Sequence, residues 1–212
     1  MKLLTIKQVL KDAWRAIKLG YLSSRRDHYG YIDKTATVLQ PFYANKKNIF
    51  LYEHTNIGEC SRILSTTGKF VMKKYSRSGP CLTVITQNHD FMEVGKFPNC
   101  QGWHTDQIAN DVIVEDYVWI GVNVTLCPGV HIGRGCLVTA GSVCVRNKKY
   151  PPYTIIGGNP AKVIKYRFTL EEQLQHEKLL YNECERISIE ILTTNWENYN
   201  SKNNSSIIKT EK

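Results

Sequence analysis

A period of six runs through the middle of the chain and limits what it can fold into. Counting hexads from Val114, the first positions are Val114, Ile120, Leu126, Ile132, Val138 and Cys144, all apolar. The chain is 42% apolar, so a fixed register would do this by chance in roughly 0.5% of cases. The fifth positions are Val118, Val124, Val130, Cys136, Ser142 and Lys148, small or aliphatic except the last, and glycine takes the second position at Gly121 and Gly133. No helix has period six, and a plain strand has period two. An inward aliphatic residue, a turn-prone small residue and a second small inward residue predict a parallel β-helix, an all-β fold. Each short strand forms one side of a triangular prism, and three hexads make one coil. Fainter hexads begin at Ile32, Ile57 and Ile63, with the register slipping between them.

Residues 86–110 do not fit the period. This polar and aromatic interruption holds His89 and His104, and long loops inside compact domains are often functional. Past Asn147 the coils are expected to stop, because Pro151 and Pro152 cannot donate to a ladder; Gly157, Gly158 and Pro160 predict a further turn. Thr5 with Gln8 reads as a capping box, and Ile6, Val9, Leu10, Ala13, Trp14 and Ile17 recur at helical spacing up to Gly20. That predicts a short helix covering one end of the coil. Thr169 with Glu172 is a second capping box, opening a helix that carries Leu170, Leu174, Tyr181, Cys184, Ile187 and Ile191. The expected organisation is an N-terminal helix over 1–22, a β-helix over 30–168 with the loop 86–110 extruded from it, a C-terminal helix over 169–195 and a frayed tail over 199–212.

The 212 residues suit one domain with trimmings. Seven cysteines, an odd number with no C-x-x-C pair, indicate buried reduced thiols and a cytoplasmic protein, with no disulfide framework and no cysteine zinc site. No apolar run approaches the roughly 18 residues of a membrane span, and no secretory signal is expected. The formal net charge of +9 admits nucleic acid, a membrane surface or an anionic ligand.

The stretches VWIG (118–121), AGS (140–142) and GGNPAKVIKYRF (157–168) are specific in combination, and residues 30–168 resemble the hexapeptide-repeat acetyltransferases, in particular the sugar O-acetyltransferases and xenobiotic acetyltransferases. The resemblance implies a left-handed parallel β-helix, a homotrimer with active sites at subunit interfaces, and acetyl-CoA as donor with no metal required. His89, in VITQNHDF, matches the catalytic histidine, which takes the proton of an attacking hydroxyl and returns it to the departing thiolate. Gly121 matches a position whose backbone N–H faces the oxyanion across the subunit boundary. Trp119 would flank the pantetheine arm or the acceptor, or pack against a neighbouring subunit. Ala140 would bind pantetheine through its backbone, with Arg146, Lys162 and Lys165 meeting the phosphates. Asp90, Trp103 and His104 are candidate acceptor contacts.

Between Gly141 and Phe168 lie Arg146, Lys148, Lys149, Lys162, Lys165 and Arg167, with no acid among them. Such a run suits the phosphates of CoA. Nucleic acid would favour bases interleaved with exposed aromatics, and no such module is recognisable. A zinc site like that of the γ-class carbonic anhydrases could draw on His89, His104 and His131, but the H-x-x-x-x-H pair is missing and His131 is expected at a corner. The expected activity is O-acetylation of a sugar or polysaccharide precursor. The alternatives are acetylation of an antibiotic hydroxyl and a β-helical scaffold without catalysis.

Overall fold

The structure, a computed structural model, describes residues 3–24, 26–40, 42–44, 46–65, 67–88, 94–95 and 110–210. Three sheets of very short strands form the sides of a prism, a left-handed parallel β-helix. The first side stacks β1 (Tyr31–Ile32), β4 (Ile49–Leu51), β7 (Phe70–Met72), β10 (Val112–Val114), β13 (His131–Ile132) and β16 (Lys149–Tyr150). The second stacks β2 (Thr37–Val38), β5 (Asn56–Ile57), β8 (Arg77–Ser78), β11 (Trp119–Ile120), β14 (Leu137–Val138) and β17 (Thr154–Gly158), with β18 (Ala161–Tyr166) at its edge. The third stacks β3 (Phe42–Ala44), β6 (Ser61–Leu64), β9 (Thr83–Ile85), β12 (Thr125–Leu126) and β15 (Val143–Cys144). Strands of two or three residues cannot persist alone; each is held by the parallel ladder to the coils above and below it.

The period of six becomes one inward row per side. Val114, Ile120, Leu126, Ile132, Val138 and Cys144 are all fully buried. The row continues beyond the expected stop, through Tyr150 and Ile156, both buried, as β16 pairs with β13 and β17 with β14. Pro151 does no harm because β16 is the edge strand of its sheet, so the missing N–H has no carbonyl to lose. Corners repeat one conformation: Tyr117, Asn123, Gly129, Gly135, Gly141, Asn147 and Tyr153, six residues apart, have φ between 57° and 75°. The left-handed residue is thus the fourth of each hexad, not the second. Glycine is needed at the second for another reason: a Cβ on Gly121 would lie 2.7 Å from the Ala140 nitrogen in the next coil.

The only antiparallel pair among the described strands, β17 with β18, folds over one end of the prism. It places Ala161 against the core, where its carbonyl accepts the Tyr150 hydroxyl at 3.1 Å. The chain then leaves the coil for α2 (Leu170–Leu180), capped as expected: Thr169 Oγ1 accepts the Glu172 N–H, and Glu172 accepts the Thr169 N–H. The single helix expected here is two, because the chain breaks at Tyr181 and resumes as α3 (Ile189–Thr210), which runs through the stretch expected to fray. Tyr153, Tyr166 and Leu192 form a second small core with Phe168, Leu174 and Trp196, fixing the helices to the coil.

In the N-terminal helix α1 (Leu3–Ser24), Thr5 and Gly20 lie inside the helix rather than at its ends. Its apolar stripe does not cover the prism. Ile6, Val9, Leu10, Trp14 and Ile17 are 42%, 61%, 63%, 63% and 71% exposed. Six of the seven cysteines are described, all as free thiols, and burial pushes Cys136 and Cys144 up to about 11.

Candidate functional site

Trp119 stands on the outer face of the second sheet, in register with Arg77 on one side and Leu137 on the other. Outward and inward residues alternate along a strand, so the buried Ile120 directs its neighbour Trp119 outward, where it is 49% exposed. Beside it opens a cavity of about 890 Å³. Its wall includes Tyr75, Arg77, Tyr117, Trp119, Arg167 and Tyr181. Of these, Trp119 was legible as a site residue and Arg167 only as part of the basic run. Tyr75 and Tyr117 are brought together because both occupy the left-handed corner position of their coils, a place where the sequence signal is ordinarily glycine or asparagine.

Past Trp119 the chain turns the next corner. There Gly121, Ala140 and the β17–β18 hairpin stack in succession. The Gly121 N–H, expected to face an oxyanion, donates instead to the Val138 carbonyl at 2.8 Å, part of the coil ladder. What glycine provides here is clearance for the Ala140 backbone above it. Ala140 differs. It is exposed, and among the described residues no group accepts its N–H. On the hairpin, Lys162 pairs in register with Gly157 and Lys165 with Ile155, both side chains exposed.

The basic run does not form one patch. Arg146 and Lys148 lie at the corner between the third sheet and the first, and Lys149 faces out from β16. Arg167 is engaged in the fold: it donates to the Tyr117 hydroxyl at 2.8 Å and to the Gly135 carbonyl at 3.3 Å, and its guanidinium lies over the Tyr117 and Phe168 rings. Within two coils the run wraps around the prism, so neighbours in sequence point in different directions.

The segment holding His89 leaves from the same corner as Arg146, two coils earlier, after β9. Its root is tied down by the Asn110 N–H donating to the Thr86 carbonyl at 3.4 Å, and by the Thr67 hydroxyl bonded to Gln87 Oε1 at 2.6 Å. His89, Asp90, Trp103 and His104 themselves lie outside the described residues. His131 is not at a corner. It faces out from β13, and its Nε2 lies 2.9 Å from Glu115 Oε1, while Lys73 holds the other carboxylate oxygen at 2.8 Å. Among the described residues no three histidines, cysteines or carboxylates gather as a metal site.

Residues 111–146 match the family model described as bacterial transferase hexapeptide (six repeats). Over 66 residues the chain is 46% identical to a chloramphenicol acetyltransferase of Escherichia coli, covering 31% of this chain and 30% of that one. Over 62 residues it is 50% identical to a probable macrolide acetyltransferase of Lysinibacillus sphaericus, covering 29% and 33%. The chain therefore spans about a third of the length of these relatives. A hexapeptide-repeat acetyltransferase from Vibrio cholerae O1 biovar eltor, solved with acetyl coenzyme A, superimposes with a TM-score of 0.60 at 29% identity, over 68% of this chain and 74% of that one. A maltose O-acetyltransferase from Clostridium difficile 630 gives 0.59 at 25%, over 68% and 73%. In repeat, coil geometry and relatives alike, the chain is similar to the hexapeptide-repeat acetyltransferases.

Proposed function

We propose that the protein is an acetyl-CoA-dependent O-acetyltransferase acting on a hydroxyl of a sugar or polysaccharide precursor in the cytoplasm. The observation that carries the reading is the corner at Ala140. An unaccepted backbone N–H stands there below a hairpin bearing Lys162 and Lys165, on a coil similar to one solved with acetyl-CoA. Pantetheine amides suit the first group and phosphates the second.

The reaction needs a base for the acceptor hydroxyl, and His89 is that base. Its imidazole takes the hydroxyl proton as the oxygen attacks the thioester carbonyl; the C–S bond then breaks and the same proton goes to the CoA thiolate. The Gly121 N–H is already donated within the ladder, so the oxyanion is met by another donor. The donor-side corner and the corner from which the His89 segment leaves are separated by the whole third sheet. A trimer with each site shared between two copies would bring the two corners together. Asp90, Trp103 and His104 would contact the acceptor.

A second reading, acetylation of an antibiotic hydroxyl, is favoured by the aromatic wall of Tyr75, Tyr117 and Trp119 along the outer face of the second sheet. Thiol release from acetyl-CoA, measured over a panel of nucleotide sugars, oligosaccharides and hydroxyl-bearing antibiotics, separates the two. His89→Ala should lower turnover by roughly 100-fold while leaving CoA bound. Full activity in that variant would sink the assignment, and failure of the wild type to bind CoA would leave a β-helical scaffold.

A further inference from the structure

The helix α1 carries two stripes that the acetyl-transfer reading does not use. Ile6, Val9, Leu10, Ala13, Trp14 and Ile17 recur three and four apart and share one side of the helix, all exposed. Lys7, Lys11 and Arg15, spaced four apart, line the flank next to Leu10 and Trp14, and they too are exposed. Asp12 is the one acid of the helix and already accepts from the Gln8 amide at 3.0 Å. The helix is not apolar enough to cross a bilayer. It is held at the first coil by the residues that follow it: Arg26 donates to the Ala36 carbonyl at 3.1 Å and to the Asp33 carbonyl.

We propose that α1 lies on a membrane surface bearing anionic headgroups, with its apolar side at the acyl boundary and Lys7, Lys11 and Arg15 among the phosphates. An apolar stripe flanked by bases is the arrangement that binds in the plane of such an interface. A second copy of the helix complements it poorly, since each copy offers one engaged acid against these three bases. The proposal is independent of the acetyl-transfer reading. It brings the coil to the surface where membrane-bound hydroxyl acceptors would be met.

The test is co-sedimentation of the full chain with vesicles of phosphatidylcholine alone and of phosphatidylcholine mixed with phosphatidylglycerol. The anionic vesicles should retain the protein at least ~10-fold better than the neutral ones, and added salt should release most of it. Replacing Lys7, Lys11 and Arg15 by Gln should remove that preference. A chain with net charge +9 adsorbs to anionic lipid through any basic patch, so the decisive variant is Leu10→Glu with Ile17→Glu. Both side chains are exposed, and the variant should keep the fold by circular dichroism and lose retention on both vesicles. Full retention in that variant overturns the proposal, as does a wild-type chain that stays in the supernatant with both lipids. If the variant instead lowers the oligomer mass in light scattering with vesicle retention unchanged, the stripe belongs to a second copy and the proposal falls.

Discussion

The Arg134 guanidinium and the Glu177 carboxylate lie 2.7 Å apart, joining the left-handed corner of a coil to the middle of α2. Glu177 is 2% exposed, and it also accepts the Tyr153 hydroxyl and the Ile187 N–H. One carboxylate thus holds a coil residue, the base of the hairpin and the start of the next helical segment. Breaking a buried pair from one side costs the other charge its best partner, and Arg134 would keep only the longer contact to Asp116 at 3.6 Å as an ion pair. Glu177→Ala should therefore cost about 3 kcal/mol, or roughly 6–12 °C in Tm for a chain of this length. Hydrogen exchange should rise first in residues 170–200, where these bonds end. Uniform loss of protection along the coils would contradict this account.

Acid should act through Glu115. Burial works against its charge, but hydrogen bonds from His131 and Lys73 overcome that and hold its carboxyl down at about 2, against an ordinary 4.5. A depressed carboxyl stabilises the fold above its unfolded value, and the contribution fades as pH falls from about 4.5 toward about 2. The site is partly open to water, so roughly 2 kcal/mol is the expected size. Urea titrations at neutral pH and near pH 3, where a little over half of the contribution has gone, should show the wild type losing about 1 kcal/mol more stability than Glu115→Gln. Parallel pH profiles would refute it.

Gly121→Ala tests the clearance at the donor corner. The added methyl meets the Ala140 nitrogen at 2.7 Å and its Cα at 3.0 Å, and backbone cannot yield as a flexible side chain can. The variant should lose about 1–3 kcal/mol, measurable by thermal unfolding. An unchanged Tm would mean the coils separate more easily than their ladder suggests.

Lys162 and Lys165 should govern donor affinity rather than turnover. Replacing either with Ala should raise the KM for acetyl-CoA several-fold at low ionic strength, leave kcat nearly unchanged, and matter less in salt. Arg167→Lys gives the contrast: its guanidinium holds Tyr117 and Gly135, so the loss should appear in stability. Equal KM values across the lysine variants at low salt would remove the hairpin from the donor site.

The coil was legible downstream of Val114 because its inward row is apolar throughout and its corners at Asn123, Gly129, Gly135 and Gly141 carry residues that tolerate left-handed backbone. Upstream the same period of six runs from Leu51 to Ile57 and Ile63, then from Met72 through Ser78 to Val84, all buried. It was obscured for three reasons. Ile63 to Met72 spans nine residues. Ser78 is polar yet inward, its hydroxyl accepting the Gly58 N–H at 3.2 Å. The corners are filled by His54, Cys60, Tyr75 and Cys81 at positive φ. Periodicity also identified the apolar stripe of α1 but not its exposure, since spacing reports which residues share a side and not what lies opposite. The basic run misled in a similar way: charge adjacent in sequence is dispersed by a chain that turns a corner every six residues.

A parallel β-helix has a length problem that a closed barrel does not, because its last coil presents unpaired backbone along the axis and invites another molecule to add on. Here β17 turns back on itself as β18, and the direction of pairing reverses. A reversed strand with Ala161 folded across the end offers no template for a further parallel coil on that side. The hairpin that carries Lys162 and Lys165 is in this sense also a terminator. A chain cut before Asn159 should tend to associate end to end into fibres, a failure distinct from unfolding and visible in the electron microscope.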